Sequence, residues 1–236
     1  MKPKTAKKLT AAAIIAAVLA VAVILRRPSA PKYEITDLGV IKGDGHAAAI
    51  NNEGHVVGHT HVPGSGAPSK AFIWSPEKGR RSIPALDGKE SIAKDINDKG
   101  QVVGYFSKPG ANTPDYAFIW DEETGLTELG TLGGKVSKAL AVSNRGQVAG
   151  YSADPNGQER PFIWDKANGM RDLGTLGGKS CALDINEKGQ VVGVSYLPNG
   201  QRHAFIWEQG TGMVDIGTLG GPVSRATGIN NSGQVA

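Results

Sequence analysis

Cysteine is nearly absent: Cys181 stands alone, so no intrachain disulfide can form and the fold must rest on packing. Aromatic residues are sparse at 6%. Long polar stretches of Ala, Leu, Glu and Lys, the material of surface helices, are also missing. Glycine (33 residues) and proline (13) are frequent instead, which demands many turns and favours an all-β chain. With 39% hydrophobic and 20% charged residues, the chain can bury a core and is not of the disordered class. Acidic residues are missing from residues 1–32, which hold seven of the 26 basic ones. From Tyr33 onward, 19 basic residues face 22 acidic ones, a net charge of about −3. The formal charge of +4 therefore belongs to the leader, and the body has no electrostatic footprint for nucleic acid.

One hydrophobic run alone is long enough to enter a bilayer. Leu9 to Leu25 is 17 uncharged residues, with four lysines before it and Arg26-Arg27 after it, a membrane-inserting helix at the short limit. Ala20-Val21-Ala22 offers a signal-cleavage site, which would leave a secreted chain. Against cleavage, the apolar run continues through Val23, Ile24 and Leu25 and a basic pair follows. The expectation is a retained transmembrane anchor at 9–25, a basic cytoplasmic flank at 1–8, a linker at 26–32 and an array at 33–236 outside the cytoplasm, because the lysine cluster outweighs the later basic residues. That places the body at the cell envelope.

The body is internally repeated. Trp74, Trp120, Trp164 and Trp207 each close a block, Ala71–Trp74, Ala117–Trp120, Pro161–Trp164 and Ala204–Trp207, at separations of 46, 44 and 43 residues. A second block in the same phase reads Gly-Gln-Val-Val-Gly at Gly100–Gly104 and Gly189–Gly193, with variants at Gly54–Gly58 and Gly146–Gly150. A third, Gly-Thr-Leu-Gly-Gly, occupies Gly130–Gly134, Gly174–Gly178 and Gly217–Gly221. The copies fall at about 33–79, 80–125, 126–169, 170–212 and 213–236, the last incomplete. The chain ends at Gly233-Gln234-Val235-Ala236, inside a block that elsewhere runs on to Phe-Ile-Trp, so it is expected to be part of a longer domain.

Asn51, Asn97, Ser143, Asn186 and Asn230 fit position i of a tight turn, where a short polar side chain caps the turn's amides. The glycine three residues on (Gly54, Gly100, Gly146, Gly189, Gly233) then requires positive φ in a bulged hairpin. Pro155-Asn156-Gly157 and Pro198-Asn199-Gly200 mark a second hairpin, Phe-Ile-Trp is its returning strand, and the Gly-Leu/Met-x-x-Leu/Ile-Gly-Thr-Leu stretch supplies a fourth strand. Counting back from the first turn sets Ile50 opposite His55. In the second copy, Ala93, Asp95, Val102 and Gly104 should share a small face that lets sheets approach. A lone meander of this size cannot cover its aromatic strand, so copies must stack. The fold class is all-β: a propeller-like array of about four and a half four-stranded antiparallel repeats, with an open stack of sheets as the alternative.

These three blocks together, with His203-Ala204-Phe205 in the fourth copy, resemble the HAF-repeat family of bacterial extracellular repeat proteins over about Tyr33 to Ala236. The resemblance implies an exported, propeller-like repeat protein with no enzymatic activity and no catalytic residues to carry over. The first copy departs from the pattern, with Gly39-Val40-Ile41-Lys42-Gly43 in place of Gly-Thr-Leu-Gly-Gly.

The recurring residues are those of turns and packing, and a tryptophan fixed at one strand position is core rather than a sugar platform. Asp95 and Asp184 stand where other copies carry Ala49, Ala141 and Gly228, which gives no paired-carboxylate chemistry. No catalytic residue and no cofactor is assigned, and Cys181 has no nearby histidine to activate it. Four of the five histidines lie in the first copy. Register counting sets His46 opposite His59, with His61 on the same face, the one candidate metal set, and no fourth ligand is evident. Three functions remain open: a non-catalytic exported scaffold binding protein or glycan at the cell envelope, an enzyme acting on extracellular polysaccharide, and a metal-binding envelope protein.

Overall fold

The computed structural model describes residues 34–39, 43–86, 90–108 and 114–236. The expected flank, membrane segment and linker at 1–32 lie outside them. Among the described residues no helix is long and apolar enough to cross a membrane. The chain divides into Met1–Asp37 and Leu38–Ala236. Of the first unit, Glu34–Asp37 carry no regular secondary structure.

The second unit contains four antiparallel sheets of four strands, each a meander in sequence order. The first sheet is β1 (Asp44–Ile50), β2 (Val56–His61), β3 (Lys70–Ser75) and β4 (Gly79–Ser82). The second is β5 (Glu90–Ile96), β6 (Val102–Ser107), β7 (Asp115–Asp121) and β8 (Gly125–Glu128). The third is β9 (Ser137–Val142), β10 (Val148–Ala153), β11 (Glu159–Asp165) and β12 (Gly169–Asp172). The fourth is β13 (Ser180–Ile185), β14 (Val191–Tyr196), β15 (Arg202–Glu208) and β16 (Gly212–Asp215). One 3-10 turn, Pro84–Leu86, is the only other regular element among the described residues. Sheets are phased differently from the division by sequence: β4, placed at the head of the second copy, closes the first sheet.

Alternation explains the stacking. In β7, Phe118 and Trp120 point to one face and Ala117 and Ile119 to the other. The first face meets Val57, Ala71 and Ile73 of the first sheet, and the second meets Ala139, Val142, Val148 and Phe162 of the third. Covered on both sides, such a strand is apolar throughout. The third and fourth sheets repeat the arrangement, with Ala141, Ala149 and Ile163 against Ile185, Val191 and Phe205. Val192 and Ala204 of the fourth sheet meet Ala226 from the fifth copy. Phe106, Phe118, Phe162 and Phe205 are fully buried, each contributing roughly 1.5–3 kcal/mol over an exposed ring.

The turn expectation holds. Gly54, Gly100, Gly146, Gly189 and Gly233 have φ of 76°, 76°, 77°, 78° and 85°, and Asn97 Oδ1 accepts from the N–H groups of Lys99 and Gln101 at 3.0 and 2.9 Å. Two expectations change. Gly130–Gly134 and Gly174–Gly178 are compact loops rather than strand, because the Leu132 and Leu176 amides turn aside to bond Ser152 and Ser195 Oγ, each at 2.9 Å. The expected small face is also broken by a β-bulge in the first strand of every sheet, at Ala48, Lys94, Leu140 and Leu183. The extra residue puts Asp95 opposite Val103, on the other face from Ala93 and Gly104. The bulge also explains the second glycine of the Gly-Gln-Val-Val-Gly block: a Cβ on Gly104 would lie 2.0 Å from the Ile92 carbonyl oxygen.

Candidate functional site

Most recurring polar side chains are consumed in joining copies. Besides capping its own turn, Asn51 donates from Nδ2 to the Asn97 carbonyl at 3.0 Å, Asn97 to that of Ser143 at 2.9 Å, and Asn186 to that of Asn230 at 3.0 Å. At three of the four junctions a serine at the start of the following copy accepts the amide that opens the aromatic block: Ala71 to Ser91, Ala117 to Ser137 and Ala204 to Ser224, at 3.0, 2.9 and 2.8 Å. These serines were missed from sequence. The signal was there, as Ser91, Ser137, Ser180 and Ser224 each stand two residues before an alanine in phase with the repeat.

Asp95 and Asp184 have the same joining role. Asp95 accepts from its neighbour Ile96 at 2.9 Å and from Val142 of the next copy at 2.8 Å. Asp184 does likewise with Ile185 at 2.8 Å and Ile229 at 2.7 Å. One carboxylate thus serves two copies. Burial pushes the Asp95 carboxyl up to about 6 against the lowering effect of those amides, and it raises Asp184 too. Three of the four tryptophans pack between sheets: Trp120 is 6% exposed, and Trp164 and Trp207 lie against the core. Burial pushes the Cys181 thiol up to about 12, so it is no thiolate at neutral pH.

The histidines fall where register counting put them, by a different route. Ile50 pairs with Val56 rather than His55, but the bulge at Ala48 restores the offset and His46 lies opposite His59. Their rings stack at 5.0 Å and 22°. Burial first, then His46, Lys94 and His61, lowers the His59 pKa. Among the described residues no three His, Cys, Asp or Glu side chains are gathered as a metal site.

A cleft of about 730 Å3 lies between the first two sheets, lined by Lys78, Arg81, Asp98, Lys99, Glu122 and Trp120, among others. Lys78 Nζ and Arg81 Nη1 both reach Glu122 Oε1, at 2.9 and 2.7 Å, and hold that carboxyl below its usual range. The buried Nε of Arg81 has no partner among the described residues. Later copies place Thr124, Asn168 and Thr211 where Lys78 stands, and Pro76, Lys166 and Gln209 take the place of Glu122.

No protein-family model matches the chain, and no curated protein does. Among solved structures it is similar to TolB from Acinetobacter baumannii, at 15% identity and a TM-score of 0.52, covering 75% of this chain and 44% of that one. It also matches a triple arginine-to-alanine mutant of AofleA from Arthrobotrys oligospora, at 19% identity and a TM-score of 0.44, covering 73% of this chain and 56% of that one. The chain therefore spans about half the length of the structures it matches. At this identity the likeness to TolB concerns the fold alone: repeated four-stranded sheets like those of propeller-type repeat proteins.

Proposed function

We propose that the chain is a non-catalytic exported scaffold of the HAF-repeat type, a propeller-like array held at the cell envelope through residues 9–25, that binds a protein or glycan in the cleft between its first two sheets. The observation that carries this reading is that two charged residues of the cleft, Lys78 and Glu122, depart from the repeat and meet there. Elsewhere recurring polar groups are spent on joining copies, whereas Lys78 and Glu122 are copy-specific and Arg81, which recurs as Arg171 in the third copy, meets such a carboxylate partner from the next copy only here among the described residues. On a repeat scaffold, ligand specificity resides in such departures. Charges of both signs with recessed aromatic surface suit a polar chain, a peptide segment or an oligosaccharide, rather than an apolar ligand.

The test is binding of the full chain, in detergent, to a glycan array and to cell-envelope extract, beside an Arg81→Ala, Lys78→Ala double variant. Retention of a glycan or protein that the double variant releases is the expected result. Equal retention by both chains moves the binding surface elsewhere. New reducing ends in a polysaccharide screen would replace this reading with that of an enzyme acting on extracellular polysaccharide.

A further inference from the structure

β1 and β2 set four metal-ligating side chains on one face at two neighbouring cross-strand pairs. Asp44 lies opposite His61, and His46 opposite His59. Side chains two residues apart on a strand share a face, so the four form a block, with direct partners about 5 Å apart at Cβ. Asp44 supplies the carboxylate that counting from the sequence had not placed, although the offset that pairs His46 with His59 also pairs Asp44 with His61.

Two observations point from this block to a cation. The Nδ1 atom of His59 is buried and has no partner among the described residues, so a nitrogen that normally donates or accepts is unused. The repeat does not require donors here: the equivalent pairs are Ile92–Tyr105, Lys138–Tyr151 and Cys181–Val194. Asp44, His46 and His61 are exposed and His59 is half-buried, so three of the four side chains meet solvent directly.

We propose that Asp44, His46, His59 and His61 bind one divalent transition-metal ion, Zn2+ or Cu2+, through imidazole nitrogens and the Asp44 carboxylate. The stacked rings of His46 and His59 present faces rather than lone pairs to each other, so binding unstacks them by rotation of the exposed His46. Borderline-soft ions suit this donor set, whereas Mg2+ and Ca2+ prefer oxygen alone. The Lys94 ammonium opposes the ion, and the Asp44 carboxylate offsets that repulsion.

Titration calorimetry and metal analysis of the full chain, stripped with chelator and loaded with Zn2+ alone or Cu2+ alone at neutral pH, test the proposal. One equivalent is expected to bind. His59→Ala should weaken binding by about tenfold or more, and Lys94→Gln should tighten it. His203→Ala should leave it unchanged, because that ring is held by Asp215 at 2.8 Å on the fourth sheet. If His59→Ala disturbs folding by circular dichroism, His46→Gln at its exposed position provides the same readout. Absence of binding by the unaltered chain overturns the proposal, as does equal weakening by His203→Ala.

Discussion

Between the second and third sheets, polar bonds reinforce the apolar contact. Asn97 donates to the Ser143 carbonyl, Val142 to Asp95 and Ala117 to Ser137, and Lys138 reaches Asp115 at 2.8 Å. Between the third and fourth sheets the apolar contact is equivalent, Ala141, Ala149 and Ile163 against Ile185, Val191 and Phe205. The polar reinforcement is not. Ser143 is too short to reach the next copy, Ala141 carries no carboxylate, and Pro161 has no N–H to give, so Ser180 Oγ pairs with Ser195 Oγ at 2.7 Å instead. Among the described residues one hydrogen bond crosses this seam, from the Asn144 amide to Glu187 at 2.8 Å. A net hydrogen bond contributes about 1 kcal/mol, so the third-to-fourth seam is weaker by a few of these. In a stack whose copies touch only neighbours, local opening should begin there.

The largest expected effect comes from removing what the weak seam already lacks. Asn97→Ala deletes both a turn cap and a bond across the seam, and should cost about 2–3 kcal/mol. Ser143→Ala deletes a cap alone, whose bonds are already long at 3.3 Å, and should cost about 1 kcal/mol or less. Urea unfolding of both variants makes the comparison, and equal losses would show that the asparagine ladder contributes nothing between copies.

Next in size is a pH effect confined to one of the two seams. Asp95 has its carboxyl raised by burial to about 6 in the fold, above the ordinary value it has when unfolded. Between roughly pH 4 and 6 the folded chain therefore holds a proton that the unfolded chain has released. The contribution is fully present below the unfolded value and is lost as pH rises through about 6. Asp95→Asn should flatten this part of the stability curve measured by thermal unfolding, leaving the smaller share due to Asp184. Ala141→Val, at the equivalent place in the third sheet, should leave the pH dependence intact even if it shifts the midpoint.

Ser143→Asn should repair the weak seam. Asn97 and Asn186 show the geometry the new side chain would adopt, with Nδ2 reaching a carbonyl in the next copy, here that of Asn186. The expected gain is about 1 kcal/mol, together with slower hydrogen exchange at the β13 amides. No change in exchange there would mean that seam opening does not limit it.

Much of this was legible in the sequence, and the boundary of what was not has a physical cause. Asn-x-x-Gly names a turn because one side chain and one φ fix it locally, so the positive-φ glycines followed directly. The fourth strand was overextended because Gly-Thr-Leu-Gly-Gly bonds to serines about 20 residues away, which local spacing does not reveal. Strand faces were misassigned for Asp95 because a bulge adds one residue without any one residue type that announces it; an alanine, a lysine and two leucines occupy the place at Ala48, Lys94, Leu140 and Leu183. The bulge cancelled a one-residue error in the first copy, so the His46–His59 pairing came out although Ile50 was misplaced. The cleft was invisible to repeat analysis because Lys78, Arg81 and Glu122 come together from two copies and belong to no shared block.

The smallest expected effect tests the seam at a single atom. Pro161→Ala gives the third copy the N–H that Ala71, Ala117 and Ala204 have in the others, and Ser180 stands where Ser91, Ser137 and Ser224 accept that bond. A new hydrogen bond stabilises by about 1 kcal/mol, while losing proline frees the unfolded chain and costs about 0.4–1 kcal/mol, so the melting temperature should hardly move. Hydrogen exchange separates the two contributions. The amide created at position 161 should be protected to the same degree as that of Ala117, and substituting Ser180→Ala in the same chain should release it. Rapid exchange at position 161 with Ser180 intact would mean that the Ser180–Ser195 pair outcompetes the bond across the seam, and that the third and fourth sheets are spaced by more than a missing proton.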